Sequence, residues 1–292
     1  MLVTMPTDEF AVSLGSDEKG IPIMAEAGFD GFDFSMERIV SNAQFPYTYV
    51  MDRPDYREYA RYLRNLGNAH GLSCSVAHAP TVAHLVTPEL YAPLLQKIIR
   101  AVESSAILGS GILVVLLLPH RNPLQPVQQE WNFKLFRDLI PFARDFGIKI
   151  AMENLIEWPD HRIDGPSIHR QPEEFRRFFD TLDSEWLTIC LDFGHAVCAG
   201  ADVPAMIRGL GKERIAMLHV HDNDLKADHH GMPYMGRIPM DDCIQALREI
   251  GFDGVLDLEV DINRYPPELI PAAARLVCQT GQYLRKRILE PL

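Results

Sequence analysis

Five times along this chain an amphipathic stretch ends in glycine and gives way at once to a short apolar, β-rich run. The junctions are Gly28-Phe29-Asp30-Gly31-Phe32, Gly71-Leu72, Gly109-Ser110-Gly111-Ile112, Gly147-Ile148 and Gly251-Phe252-Asp253-Gly254-Val255. Glycine just past a helix enters the left-handed region without a Cβ clash, so each junction reads as helix end, turn and strand start. The runs that follow are FDGFDFS, LSCSVAHA, ILVVLLL, IKIAMEN and VLDLEV. EFAVSLG near the start, LTICLDFG and IAMLHVHD complete a set of eight. Several are apolar on both faces, as strands of a covered parallel sheet are.

Helical patterns separate the runs. Tyr56, Tyr59, Ala60, Leu63 and Leu66 recur at helical spacing. So do Phe175, Phe178, Phe179 and Leu182, after Pro172 and the acidic pair Glu173-Glu174, a good helix start. Leu135, Leu139, Phe142 and Phe146 mark another helix, in which Pro141 is expected to introduce a kink. Eight strands alternating with about eight helices over 292 residues, with no Ser/Gly/Pro-rich linker, predict an α/β fold. The expected architecture is a single (β/α)8 TIM barrel over 1–292, with its chemistry at the C-terminal strand ends. An open doubly wound sheet is the rival, and no G-x-G-x-x-G follows the first run to support it.

Composition narrows the class. The chain is 47% apolar, enough for a large core. A net charge of −12, a pI near 5.3 and the lack of a Lys/Arg run argue against nucleic acid and anionic membrane as partners. MLVTMPTDEF has neither a basic nor an apolar region of a secretory leader, and the most apolar run, 112–118, is too short to cross a bilayer. The five cysteines form no C-x-x-C pair and read as buried thiols of a cytoplasmic protein. Subunit number is left open, a homo-oligomer included.

Ligand-type residues gather where the expected strands end. The third run ends at His78 and the fifth at Glu153. The sixth ends at Asp192, with His195 one turn on. The seventh holds His219 and His221, whose alternate spacing puts both on one face, and the eighth carries Asp257 and Glu259 in the same relation. Carboxylates and imidazole brought from separate strands suit Mn, Mg, Co or Zn. Glu153, Asp192, His219 and Glu259 are the expected ligands, with open positions for water or substrate. Asp228 and His230, two apart in the loop beyond, are placed to join His195 in a second metal site or to grip polar groups of a substrate. His78 reads as a substrate contact or a satisfied core histidine, His221 as a contact or a packed neighbour of the ligands. Asp257 reads as an orienting partner, and Trp158 as a pocket wall or core aromatic. His70, His84, His161 and His169 lack partners at ligand spacing and read as surface or packing residues.

These motifs resemble those of the xylose isomerase-like TIM-barrel superfamily, which holds sugar isomerases and epimerases together with the apurinic-site nuclease endonuclease IV. They are ENL after the fifth run, CLDFGHA around the sixth, HVHDND on the seventh, DHH in the next loop, PYMG beyond it and a Glu after the eighth. The sugar phosphate isomerase/epimerase group is the nearest pattern. The resemblance implies metal ligands at Glu153, Asp192, His219 and Glu259, and matches the nuclease's further zinc ligands at His78, His195, Asp228 and His230. It departs at Leu118-Pro119-His120, where the nuclease has His-Pro, and at Thr81, where it has Tyr. Ketose 3-epimerases have an Arg where this chain has Leu225, which speaks against that substrate.

The function so implied is a divalent-metal-dependent isomerase or epimerase of a sugar or sugar phosphate, with Zn or Mn ahead of Mg or Co. A proton would move through a metal-stabilised enediolate, with Glu153 and Glu259 as the catalytic carboxylates. His78, His195, His221 and Trp158 would contact the substrate. The alternatives are an endonuclease IV-like zinc phosphodiesterase acting on abasic DNA and a sugar-binding module without turnover.

Overall fold

The structure, a computed structural model, describes residues 1–36, 39–42, 45–81, 87–118, 125–156 and 167–290. The first half of the chain runs β1 (Leu2–Thr4), α1 (Asp8–Leu14), α2 (Gly20–Ala27), β2 (Gly31–Ser35), then a hairpin of β3 (Ile39–Asn42) and β4 (Phe45–Tyr49). It continues through α3 (Tyr56–Ala69), β5 (Ser73–His78), α4 (Pro88–Leu108), β6 (Ile112–Leu116) and α5 (Gln125–Phe146). The second half comprises β7 (Lys149–Glu153), α6 (Pro172–Leu182), β8 (Leu187–Asp192), α7 (Phe193–Ala199), α8 (Val203–Leu210) and β9 (Ile215–His219). It ends with α9 (Met240–Ile250), β10 (Val255–Asp257) and α10 (Ile270–Leu289).

Among the described residues the main sheet has eight strands in the order β1-β10-β9-β8-β7-β6-β5-β2, every neighbouring pair parallel. Its two ends meet just past β1. The Asp33 N–H donates to Met5 O at 3.0 Å, and the Thr7 N–H donates to Asp33 O at 2.9 Å. The sheet is therefore a nearly closed parallel barrel with helices outside it, the (β/α)8 architecture that the alternation predicts. All five junction glycines lie in the left-handed region, with φ from 66° at Gly251 to 97° at Gly28. Pro141 lies inside α5, as the spacing anticipates. In α6, Phe175, Phe178 and Leu182 are buried on one stripe, and each such side chain contributes roughly 1.5–3 kcal/mol by leaving water.

One expected strand is a helix. EFAVSLG lies in α1, and the first strand is the short LVT before it. Asp8 and Glu9 occupy the first turn of α1, favourable charges at a helix N-terminus, and Gly15 closes it at φ 87°. Alternation through seven residues mimicked a strand because a two-turn amphipathic helix carries too few periods to separate from one. Two further expectations shift in detail: β9 ends at His219 and β10 at Asp257, so His221 and Glu259 stand on the loops just beyond.

Strand alternation sets up two cores. Leu113, Ile150, Met152, Ile189, Leu191, Leu218 and Leu256 face outward into the layer shared with the helices. Val76, Val114, Ala151, Cys190, Met217 and Val255 face inward and plug the barrel. The residues two further along β5, β7, β8, β9 and β10 share that inner face, and they are His78, Glu153, Asp192, His219 and Asp257. An apolar plug thus carries a polar layer at the C-terminal mouth. No helix among the described residues is long and apolar enough to cross a membrane.

Candidate metal centre at the barrel mouth

The polar layer begins with Glu153, whose side chain is 1% exposed. Its Oε2 lies 3.1 Å from His78 Nε2, and its Oε1 lies 3.2 Å from both His195 Nδ1 and His219 Nδ1. His219 Nδ1 is the focus of the arrangement. Besides Glu153 it has Glu259 Oε2 at 3.4 Å and Asp192 Oδ2 at 3.7 Å. One imidazole nitrogen therefore faces carboxylate oxygens from two other strand ends and from the loop after β10.

Backbone geometry holds Asp192 in that position. Asn154, the residue after β7, accepts from the Asp192 N–H through Oδ1 at 2.9 Å and donates through Nδ2 to Asp192 O at 3.0 Å. This side-chain bracket ties β8 to β7 at the mouth. Asp192 also caps α7, its Oδ1 accepting the His195 N–H at 2.6 Å. The cap satisfies a helix donor and turns the His195 ring back toward Glu153. His221 Nε2 meets both Asp192 oxygens, at 3.2 and 3.3 Å.

A second group lies just outside the first. Asp228 Oδ2 is 2.9 Å from His230 Nε2 and 3.4 Å from His195 Nε2, while its Oδ1 is 3.8 Å from His221 Nε2. The His221 and His230 rings stack at 4.2 Å, and those of His78 and His219 at 5.7 Å. Gly194 makes this packing possible, because a Cβ there would fall 1.9 Å from His221 Cε1.

Charge explains the protonation of the cluster. Burial pushes the Glu153 carboxyl up, but the imidazole of His219 and hydrogen bonds from His195, His219 and His78 hold it well below the usual carboxylate range. Asp192 behaves likewise, burial being outweighed by His195, His221 and His219. Burial lowers His195 and His219, and the surrounding acidic groups more than reverse this, raising both. Asp228 is lowered by His195 and His230 against its burial, and His230 is raised to about 10 by Asp228 and Glu259 against its own. Burial alone dominates at Asp257, raised to about 7, and at Asp33, raised well above its ordinary value with the Asp257 charge adding to it.

The donor set fits a divalent cation. Ligand atoms sharing one ion at ~2.1 Å lie roughly 3–3.4 Å apart, which the separations of 3.2 and 3.4 Å around His219 Nδ1 match. His78 with His219 and Glu259, and His195 with Asp228 and His230, each bring three ligand atoms within 4.8 Å of one another. Asp228 Oδ1 and His221 Nδ1 are buried without hydrogen-bond partners among the described residues, as donors waiting for a ligand are.

The expected residues thus converge, with exceptions. Trp158 and His120 lie outside the described residues, as do His84 and His161. Leu118 is buried, its N–H donating to Asn132 Oδ1 at 2.8 Å. His169 is buried and accepts the Leu155 N–H through Nδ1 at 3.1 Å, a packing role, and His70 is exposed at the end of α3. Asp257 accepts a short hydrogen bond from Thr4 Oγ1, joining β10 to β1. Sequence reasoning missed Asn154, Gly194, Cys190 and Asp33. Cys190 lies with Glu153 and His219 beneath the cluster, and Asp33 lies with His219 and Asp257.

The model of the family described as xylose isomerase-like TIM barrel matches residues 21–280 of the chain. A Methanocaldococcus jannaschii protein, MJ1311, described as uncharacterized, is 33% identical over 130 residues, 44% of this chain and 42% of that one. The chain spans about two fifths of the length of the first curated relatives it matches, 42% and 40%. Among solved structures, a D-tagatose 3-epimerase-like protein superposes with a TM-score of 0.73 at 22% identity, covering 99% of this chain and 100% of that one. The IOLI protein with a bound zinc atom superposes at 0.74 and 17% identity, covering 99% and 98%. At such identities these two structures report a shared fold.

Proposed function

The chain belongs to the xylose isomerase-like TIM barrel family, and on that premise we propose that it is a divalent-metal-dependent isomerase or epimerase of a sugar or sugar phosphate. The observation that carries the reading is the convergence of Glu153, Asp192 and Glu259 oxygens within 3.7 Å of His219 Nδ1. In support, a protein of the same fold is named as a 3-epimerase-like protein and another holds zinc. Glu153, Asp192, His219 and Glu259 would hold the ion, with His195, Asp228 and His230 available for a second. Bound there, zinc or manganese would polarise a substrate carbonyl and offset the charge of an enediolate.

The chain's own groups perform the proton movement. Glu153 is kept ionised by its imidazole neighbours and is sealed from water, so it is placed to accept a proton from the carbon beside the carbonyl. Returning that proton to the neighbouring carbon gives an isomer. Delivery by Glu259 from the other side gives an epimer, and its side chain, 14% exposed, borders the adjoining cavity. His78 borders the same cavity, and it, with His195 and His221 beside the ion's ligands, would orient hydroxyl groups. Leu225, where ketose 3-epimerases carry Arg, argues against assigning that particular substrate.

The cluster of His195, Asp228 and His230 also suits a zinc phosphodiesterase, the second reading. Buried Leu118 at the position of a nuclease ligand and the net charge of −12 weigh against it. The test is incubation of a broad ketose and aldose panel in deuterated water with Mn or Zn. The expected result is cation-dependent deuterium incorporation beside the carbonyl, lost in Glu153→Gln. Silence across the panel would refute the isomerase reading, and nicking of an abasic duplex would install the other.

A further inference from the structure

The cavity beside the cluster has a wall that the proton-transfer chemistry leaves unused. It encloses about 110 Å³ and shares His78, His230 and Glu259 with the metal centre, while Asp8, Glu9, Asp33 and Ser35 form the facing side. Alternation along β2 explains two of these. Phe32 and Phe34 pack outward into the layer shared with the helices, so Asp33 and Ser35 point into the barrel mouth.

Asp33 is the informative residue. It is fully buried, and neither of its carboxylate oxygens has a hydrogen-bond partner among the described residues. Its backbone closes the barrel through the bonds to Met5 O and from the Thr7 N–H, which keeps the side chain on the inner face of β2. A buried carboxyl with no partner is costly, and such a group persists where a ligand supplies the missing hydrogen bonds. The lining described contains four carboxyl groups, at Asp8, Glu9, Asp33 and Glu259, and no Lys or Arg.

Resting on the isomerase reading, we propose that Asp33 binds hydroxyl groups of an uncharged polyhydroxy carbonyl substrate, and that this pocket selects free sugars over their phosphate monoesters. A buried neutral carboxyl both donates to and accepts from sugar hydroxyls, which satisfies Asp33 without a buried charge. A phosphate dianion in the same space gives up its hydration with no Lys or Arg in the described lining to replace it, and His230 is already paired with Asp228. A substrate lacking the hydroxyl would leave Asp33 unsatisfied again, which is the condition for sharp discrimination.

The test titrates Mn-loaded protein with free ketohexoses and their terminal phosphate monoesters, and runs deuterium exchange on the same panel. Free sugars are expected to bind at least about 10-fold tighter than the esters. Asp33→Ala, and Asp33→Ser as a second variant, should raise KM by about 10-fold or more with a far smaller change in kcat and unchanged cation stoichiometry. Esters binding as tightly as free sugars, an unaltered KM in both variants, or no binding of either class would overturn the proposal. Selective binding of free sugars without exchange would instead uphold the selection and sink the isomerase reading.

Discussion

Glu9 sits in the first turn of α1 and reaches across to the loop after β10, its Oε2 accepting the Ile262 N–H at 3.1 Å and Asn263 Nδ2 at 3.3 Å. Burial, then the charges of Asp8 and Asp261, push its carboxyl up to about 8, with His230 and the Ile262 amide opposing. A carboxyl with a raised folded-state value keeps its full contribution below its unfolded value of 4.5, and loses it as pH rises through about 8. Glu9→Gln keeps an acceptor for Ile262 and removes the charge. Denaturant melts should therefore find the variant similar to wild type near pH 4 and more stable by at least ~1 kcal/mol above pH 8. A constant difference across that range would contradict the assignment. Asp33 and Glu9 were illegible as site residues for different reasons. The first looks like an ordinary polar residue in an alternating strand, and the second lies in the segment misread as a strand.

Among the elements, α7 and α8 show how far local structure serves the site. The Asp202 side chain caps α8 by accepting the Ala205 N–H at 2.9 Å in an exposed bond that involves none of the ligand groups. Asp202→Ala should cost about 1 kcal/mol of stability and leave cation affinity unchanged, as thermal melts and titration would report. Gly194, in the first turn of α7, is different in kind. With Cβ 1.9 Å from the His221 ring, Gly194→Ala must displace that ring from Asp192. The expected effect is roughly a 10–100-fold loss of cation affinity or activity with a small change in stability, and intact affinity would contradict it. Seven of the eight barrel strands were legible because glycine junctions and apolar runs are local signals. The three-residue β1 carries too little pattern, and the β3–β4 hairpin stands outside the alternation. Contacts such as the Asn154 bracket on Asp192 join residues 38 apart in sequence, where no spacing rule reaches.

At the scale of the molecule, the ends of β5, β7, β8, β9 and β10, far apart in sequence, become one site because the barrel register sets their inward residues in one layer above an apolar plug. The sequence carried the residue types and their order, and closure of the barrel supplied their meeting. A cation binding only this assembled site must stabilise the fold as a whole, by ~2.7 kcal/mol at a free concentration 100 times its Kd. Calorimetric scans should show Tm rising with added Mn or Zn and falling on chelation, and a Tm indifferent to both would count against an assembled site. The most direct measurement is calorimetric titration of Mn or Zn into chelator-treated protein, wild type beside Asp192→Asn and Glu153→Gln. The account predicts at least one ion bound per chain by the wild type and affinity reduced by about 10-fold or more in each variant. No binding by the wild type, or equal binding by all three proteins, would contradict it.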